Sequence, residues 1–177
     1  AGILFESSER RMSKAFRKTV LSFIPLILLS PLFFYLMKYI AVYQVDGDSM
    51  VPLFYTGDYI VAHVRDSYHK GEVIVCANPE DDSILIKEIL GTSGDEIILA
   101  GGSFYVNGKK TRFKTSKEAE FNHVVLESDS YYIIGENIEV SHDSRSFGPI
   151  TGDMIIGKVI FKVFPEIGRI PSSRSIK

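Results

Sequence analysis

The chain has 177 residues, enough for one domain of ordinary size behind an N-terminal anchor and too few for two. A formal charge of -2, a pI near 6.1 and the lack of a Lys/Arg stripe in the body exclude a general electrostatic role in nucleic-acid binding. The single cysteine, Cys76, excludes an internal disulfide and any cysteine-built zinc site, and its apolar run Val73 to Ala77 makes it a small core residue.

Arg10, Arg11, Lys14, Arg17 and Lys18 crowd the flank of Thr19 to Met37, a segment without a charge. Its length is close to the ~20 residues a helix needs to cross a hydrocarbon core. A secretory signal peptide has the same polarity, but its apolar region is typically about 7 to 15 residues and ends at a small-residue cleavage site. Here the run is longer and flows into Lys38-Tyr39-Ile40-Ala41-Val42-Tyr43, so a retained anchor in the lipid bilayer is expected. Pro25 and Pro31 are tolerable in such a helix, where neighbouring groups satisfy the freed carbonyls. The positive-inside bias divides the chain into a basic cytoplasmic segment (1–18), a transmembrane anchor (19–38) and an extracytoplasmic body (39–177). The first residue is Ala rather than Met, as expected of a trimmed or engineered start.

From Tyr39 onward the pattern is β structure. Tyr59 to Val64, Val73 to Ala77, Ile84 to Leu90, Glu96 to Leu99, Phe104 to Val106, Tyr131 to Ile134 and Ile155 to Phe164 are short runs rich in β-branched and aromatic residues. Gly57-Asp58, Gly71-Glu72, Gly94-Asp95, Gly135-Glu136 and Gly152-Asp153 punctuate them, and Asn107-Gly108 is a two-residue hairpin signal. Many short strands with such turns predict a mostly β domain, a compact barrel or sandwich. Lys109 to Asn122 reads as an exposed polar loop, and Pro165 to Lys177 as a peripheral tail.

For chemistry, Gly47-Asp48-Ser49-Met50-Val51-Pro52 read alone is an ordinary strand-end turn. A serine nucleophile needs a base, and His63, His69, His123 and His142 stand in no pattern matching a Ser-His-Asp protease, so each reads as surface or structural. A lysine serves only when burial keeps it neutral. Lys87, between Ile84-Leu85-Ile86 and Ile89-Leu90, is the one lysine in apolar company, although an alternating strand would point it outward equally well.

Three ordered blocks remove that ambiguity: the Ser49 segment; Leu85-Ile86-Lys87-Glu88-Ile89-Leu90-Gly91 with Gly94-Asp95; and Gly135-Glu136-Asn137 with Ser141-His142-Asp143-Ser144-Arg145 and Gly148. Over roughly residues 40 to 160 they resemble the bacterial type I signal peptidase family, membrane-bound serine proteases with a Ser/Lys dyad. The resemblance implies a signal-peptidase-like β-barrel or sandwich after one transmembrane helix, in the bacterial inner membrane. It implies Ser49 as nucleophile and Lys87 as general base, Ser141 hydrogen-bonded to that lysine, and Asp143, Ser144 and Arg145 as support. Met50 and Pro52 match the residues after the nucleophile and are expected on the substrate side, with the Ser49 amide in the oxyanion hole. No metal or cofactor is implied. The implied partner is a preprotein with small residues before the cut, or a pilin-like precursor if the chain belongs to the conjugative-transfer branch of the clan. Gly47 stands where some members have a serine hydroxyl for the oxyanion hole, Glu88 replaces the usual basic residue, Leu53 stands where threonine is common, and Thr92-Ser93 replaces an apolar-proline pair. Two further readings are a self-cleaving repressor protease, disfavoured by the membrane span, and an inactive membrane-anchored β-domain that binds a partner, favoured by Gly47 and Glu88.

Overall fold

α1, Gly2–Met37, is one long helix, charged in its first half and uncharged from residue 19 on, in the computed structural model, which describes residues 2–116, 122–164 and 168–169. Its stretch Phe16–Tyr35 is long and apolar enough to cross a membrane. Pro31 has no N–H for the carbonyl of Ile27, and the Ser30 hydroxyl donates to that carbonyl instead, at 2.9 Å. At the far end the Lys38 ammonium lies over the rings of Tyr35 and Tyr39, 5.1 and 4.8 Å from their centroids, the kind of amphipathic cluster that favours a membrane-water boundary.

The described chain divides at Tyr39 and Ile40 into two compact units, the helix and a β unit. In the β unit, strands β1 (Ile40–Gln44), β2 (Tyr59–His63), β3 (Val73–Ala77), β4 (Ile84–Gly91), β9 (Ser130–Ile134), β10 (Ile150–Thr151), β11 (Ile155–Phe164) and β12 (Gly168–Arg169) form a mainly antiparallel sheet. Its order is β1-β2-β11-β3-β4-β9-β10, with β12 added beside β11. Strands β5 (Glu96–Ala100), β6 (Ser103–Val106), β7 (Lys109–Lys114) and β8 (Asn122–Val125) form a second sheet in the order β7-β6-β5-β8. The protein is thus mostly β, as the strand runs predict.

Strand β3 explains the apolar run around Cys76. Val73 and Val75 pack with Met50, Phe54, Ile60, Ala62 and Val159 on one face, while Ile74 and Cys76 pack with Ile89, Ile133 and Ile150 on the other. A strand covered on both faces has no reason to alternate. A third cluster joins Leu90, Tyr132 and Ile134 of the large sheet to Ile97, Phe104, Val106 and Phe113 of the small one. The small sheet is therefore packed on the β4–β9 end of the large sheet.

Two expectations need correction. Lys109–Lys114 is a strand, not a loop: Asn107 and Gly108 take φ of 50° and 72°, the left-handed pair that a tight hairpin requires, and β7 returns along β6. Four basic residues mask its period, because Thr111 and Phe113 point inward while Lys109, Lys110, Arg112 and Lys114 point outward. Within the expected tail, Gly168–Arg169 pairs with β11; the remainder of the tail and residues 117–121 lie outside the described residues. One helical turn, α2 (Ser144–Phe147), is too short to show periodicity in the sequence.

Gly157 marks where β11 passes between β2 and β3. A Cβ there would lie 3.0 Å from both the carbonyl carbon and oxygen of His63 and 3.3 Å from Val64 N, all backbone atoms that cannot turn aside. Gly157→Ala is expected to destabilise the β unit by about 1–3 kcal/mol, read as a lowered thermal midpoint by circular dichroism.

Candidate active site

Ser49 sits in the connection from β1 to β2, which is closed at its base. Val45 N donates to Asp58 O (2.8 Å), Gly57 N to Val45 O (2.9 Å) and Gly47 N to the Thr56 hydroxyl (3.0 Å). Met50 and Phe54 are fully buried below it, and the amides of Leu53 and Phe54 both donate to Met50 O. The serine thus rides on a segment fixed by core packing on its C-terminal side. Its carbonyl accepts the Asn137 amide at 2.9 Å.

Lys87 lies in β4 directly opposite Ile74 of β3, so the pleat gives it the same face as Cys76 and Ile89. It is 2% exposed, and its Nζ is 2.9 Å from Ser49 Oγ. Burial holds the Lys87 amine below its ordinary pKa, opposed by the negative charge of Asp143 and reinforced by Arg145. Burial also pushes the Cys76 thiol up to about 12, so at neutral pH it is uncharged and gives the ammonium no support. Asp143 itself is engaged elsewhere. Its carboxylate accepts from Arg145 Nε (2.7 Å) and Nη2 (3.0 Å) and from the Gly135 amide (3.0 Å).

The other expected residues fall around this pair. The Ser144 hydroxyl accepts the Ile133 amide at 2.9 Å, stitching α2 to β9. Arg145 Nη2 donates to Ser141 O at 2.8 Å. Ser141 Oγ is buried without a hydrogen-bond partner, so the expected bond from Ser141 to Lys87 is not formed in this structure. Met50 lines a cleft of about 140 Å³ together with Tyr43, Val45, Asp46, Ser49 and Ile84 to Lys87. Pro52 is exposed on the turn and lies outside that lining. Among the described residues no group of three or more His, Cys, Asp or Glu is placed to hold a metal ion.

Both walls of the cleft are strand edges. Among the described residues β1 pairs with β2 alone, and β4 pairs with β9 only from Glu88 onward, which leaves the Ile84–Lys87 edge without a described neighbour on that side. Such edges can take up an extended peptide by backbone hydrogen bonding. Against this geometry, a family model described as signal peptidase, peptidase S26, matches residues 16–164. The chain belongs to the signal peptidase family. Signal peptidase IB of Staphylococcus aureus strain COL is 32% identical over 70% of this chain and 77% of its own, and signal peptidase I S of Bacillus subtilis strain 168 is 29% identical over 71% and 77%. A crystal structure of a signal peptidase I from Enterococcus faecalis V583 covers 54% of this chain and 98% of its own at 17% identity, with a TM-score of 0.46.

Sequence reasoning gave no role to Gly135 and Asn137, although both lie in the third block. Asn137 N binds Ser49 O while its carbonyl accepts the Ser141 amide at 3.1 Å, and Gly135 lets these backbones close. A Cβ on Gly135 would stand 2.2 Å from Ser141 Oγ and 2.7 Å from Ser49 O. Gly followed by Glu is a plain turn signal in sequence, and only the approach of Ser49 gives the glycine its importance. Gly135→Ala is expected to displace Ser49 and reduce cleavage of a preprotein by ~10²-fold, the scale of a 1 Å misplacement of a reacting group. Steady-state rates on folded variant protein would measure it.

Proposed function

We propose that this signal peptidase family member is a membrane-anchored serine endopeptidase that removes signal peptides, with Ser49 as nucleophile and Lys87 as general base. The observation that carries the reading is the buried Lys87 amine 2.9 Å from the Ser49 hydroxyl, with no carboxylate within ion-pair distance among the described residues. A neutral amine accepts the serine proton as Oγ attacks the scissile carbonyl. The resulting acyl-enzyme is then hydrolysed by a water that the same amine deprotonates. The Ser49 amide is the donor offered to the oxyanion. Gly47 adds no side-chain donor, and its φ of 87° disfavours any residue that would. Asp143, Ser144 and Arg145 support the segment beside the lysine, and Ser141 fills the space next to Gly135.

The substrate in this reading is an extended preprotein segment laid between the bare edges of β1 and β4. The cleft of about 140 Å³ lies against these edges and is bounded by Ser49 and Lys87, so the side chains next to the cut enter a confined space. A pilin-like precursor is the narrower candidate within the same chemistry. By the positive-inside bias, the basic flank Arg10 to Lys18 favours an N-terminus in the cytoplasm and a β unit outside it.

Ser49→Ala and Lys87→Met should each abolish cleavage in a panel of preproteins, by ~10²–10⁴-fold or more for loss of the base, while the fold survives. Wild-type activity should fall as pH drops through the depressed pKa of Lys87, because only the neutral amine is a base. The same depression makes the ammonium unfavourable in the native state. That cost is absent above the unfolded pKa of about 10.4, grows as pH falls below it, and levels off beneath the folded value. Lys87→Met should therefore be neutral to mildly stabilising at pH 7 in thermal melts. Wild-type cleavage by Lys87→Met, with loss of cleavage in His142→Ala, would transfer the role of base to histidine.

Orientation has its own test. Protease added outside intact spheroplasts should digest the β unit, whereas full protection would reverse the topology.

A further inference from the structure

Glu88 follows Lys87 in β4 and, by the pleat of the strand, faces the opposite way, across from Val73 and Ile134. It is a buried carboxylate one residue from the lysine, and a buried charge must be paired. The pairing group comes from the other sheet. Arg112 of β7 donates through Nη2 to Glu88 Oε2 at 2.5 Å, and through Nη1 and Nη2 to both oxygens of Glu136 at 2.7 Å. Its guanidinium stacks on Phe113, 4.0 Å from the ring centroid, and Phe113 is itself buried in the core shared by the two sheets. The planar fork thus has one fixed orientation.

The two carboxylates it joins are informative because of their neighbours. Glu88 adjoins Lys87, while Glu136 lies between Gly135, which packs on the Ser49 carbonyl, and Asn137, which donates to it. One guanidinium therefore ties the strand carrying the amine to the segment holding the serine.

We propose that Arg112 is a positioning residue for the Ser49–Lys87 pair, a clamp from the small sheet that fixes the spacing of the two reacting groups through Glu88 and Glu136. The clamp touches neither substrate nor reacting atoms, and it rests on the dyad reading given above. It also balances charge near the lysine. Ser49, Cys76 of β3, and Asp143 and Arg145 are the groups that face Lys87 from the packed elements, and none of them is itself substituted when Arg112 is altered. Loss of the guanidinium removes one positive charge from between Glu88 and Glu136, and a more negative surround favours the ammonium.

The test is steady-state cleavage of a preprotein across pH by the full chain in detergent, comparing wild type with Arg112→Met, Arg112→Lys and the triple variant Glu88→Gln/Arg112→Met/Glu136→Gln. Arg112→Met should lose ~10-fold or more in kcat with KM within about twofold, and its acid limb should move to higher pH. Arg112→Lys should restore the acid limb, since an ammonium replaces the charge, but recover kcat only in part because it cannot bridge both carboxylates as the planar fork does. The triple variant should restore the acid limb and not kcat. Folded Arg112→Met with kcat within about twofold of wild type would overturn the proposal, as would a rate loss that follows the folded fraction with no change in pH profile. If Arg112→Met does not fold, Arg112→Lys decides, and wild-type kcat in that variant overturns the clamp. Cleavage persisting in Ser49→Ala or Lys87→Met would instead defeat the dyad reading, which keeps the two failures apart.

Discussion

The site is built around one dry amine, with no counter-ion within ion-pair distance among the described residues. Lys87 has 2% of its surface exposed, and its amine meets a serine hydroxyl at 2.9 Å rather than a carboxylate. Elsewhere in the β unit buried charges are paired: Lys158 with Glu72 at 2.6 Å, Lys162 with Asp58 at 2.7 Å, Lys70 with Asp95 at 2.9 Å, Arg145 with Asp143 and Arg112 with Glu88. A chain that pairs these charges and leaves this one against a hydroxyl is holding a group that burial shifts toward its neutral form. That condition works against stability and, with Lys87 proposed as the general base, suits proton abstraction.

Several features follow from that constraint. Asp143 is the carboxylate with the greatest pull on Lys87, and Arg145 and the Gly135 amide occupy its oxygens. The Cys76 thiol beside the amine stays protonated, because the burial that depresses the lysine raises the thiol. Two-sided packing of β3 supplies the dry environment, with Ile74 directly opposite Lys87 and neither face of the strand open to water. The serine is held as firmly as the lysine. Met50 and Phe54 anchor one side of its loop, and Asn137 binds its carbonyl.

The small sheet has a part in this arrangement beyond bulk. Its inward residues Ile97, Phe104 and Phe113 build the core it shares with β4 and β9, and Arg112 on its outward face reaches back to Glu88 and Glu136. A strand that reads in sequence as a run of surface charge thus becomes a strut behind the site. The acidic residue after Lys87, where the family usually has a basic one, is matched by a basic residue supplied from β7.

What the sequence determined by itself is local. The uncharged run before Lys38, the β-branched segments, the Gly-acid turns and the Asn107-Gly108 hairpin each express a preference carried within a few residues, and the helix and most strands follow them. Strand β7 escaped because its inward pair, Thr111 and Phe113, is diluted by four cations, and α2 because four residues carry no period. Three ordered motif blocks marked Ser49 and Lys87, but nothing near Lys87 in the chain distinguishes a lysine facing outward from one facing inward. Tertiary structure decided that, since the burial of residue 87 depends on Ile74 across the strand pair and on a serine 38 positions away. The importance of Gly135, the diversion of Asp143 and the reach of Arg112 have the same origin. Each depends on which backbones meet, and pairing between distant strands is set by the closing of the whole core.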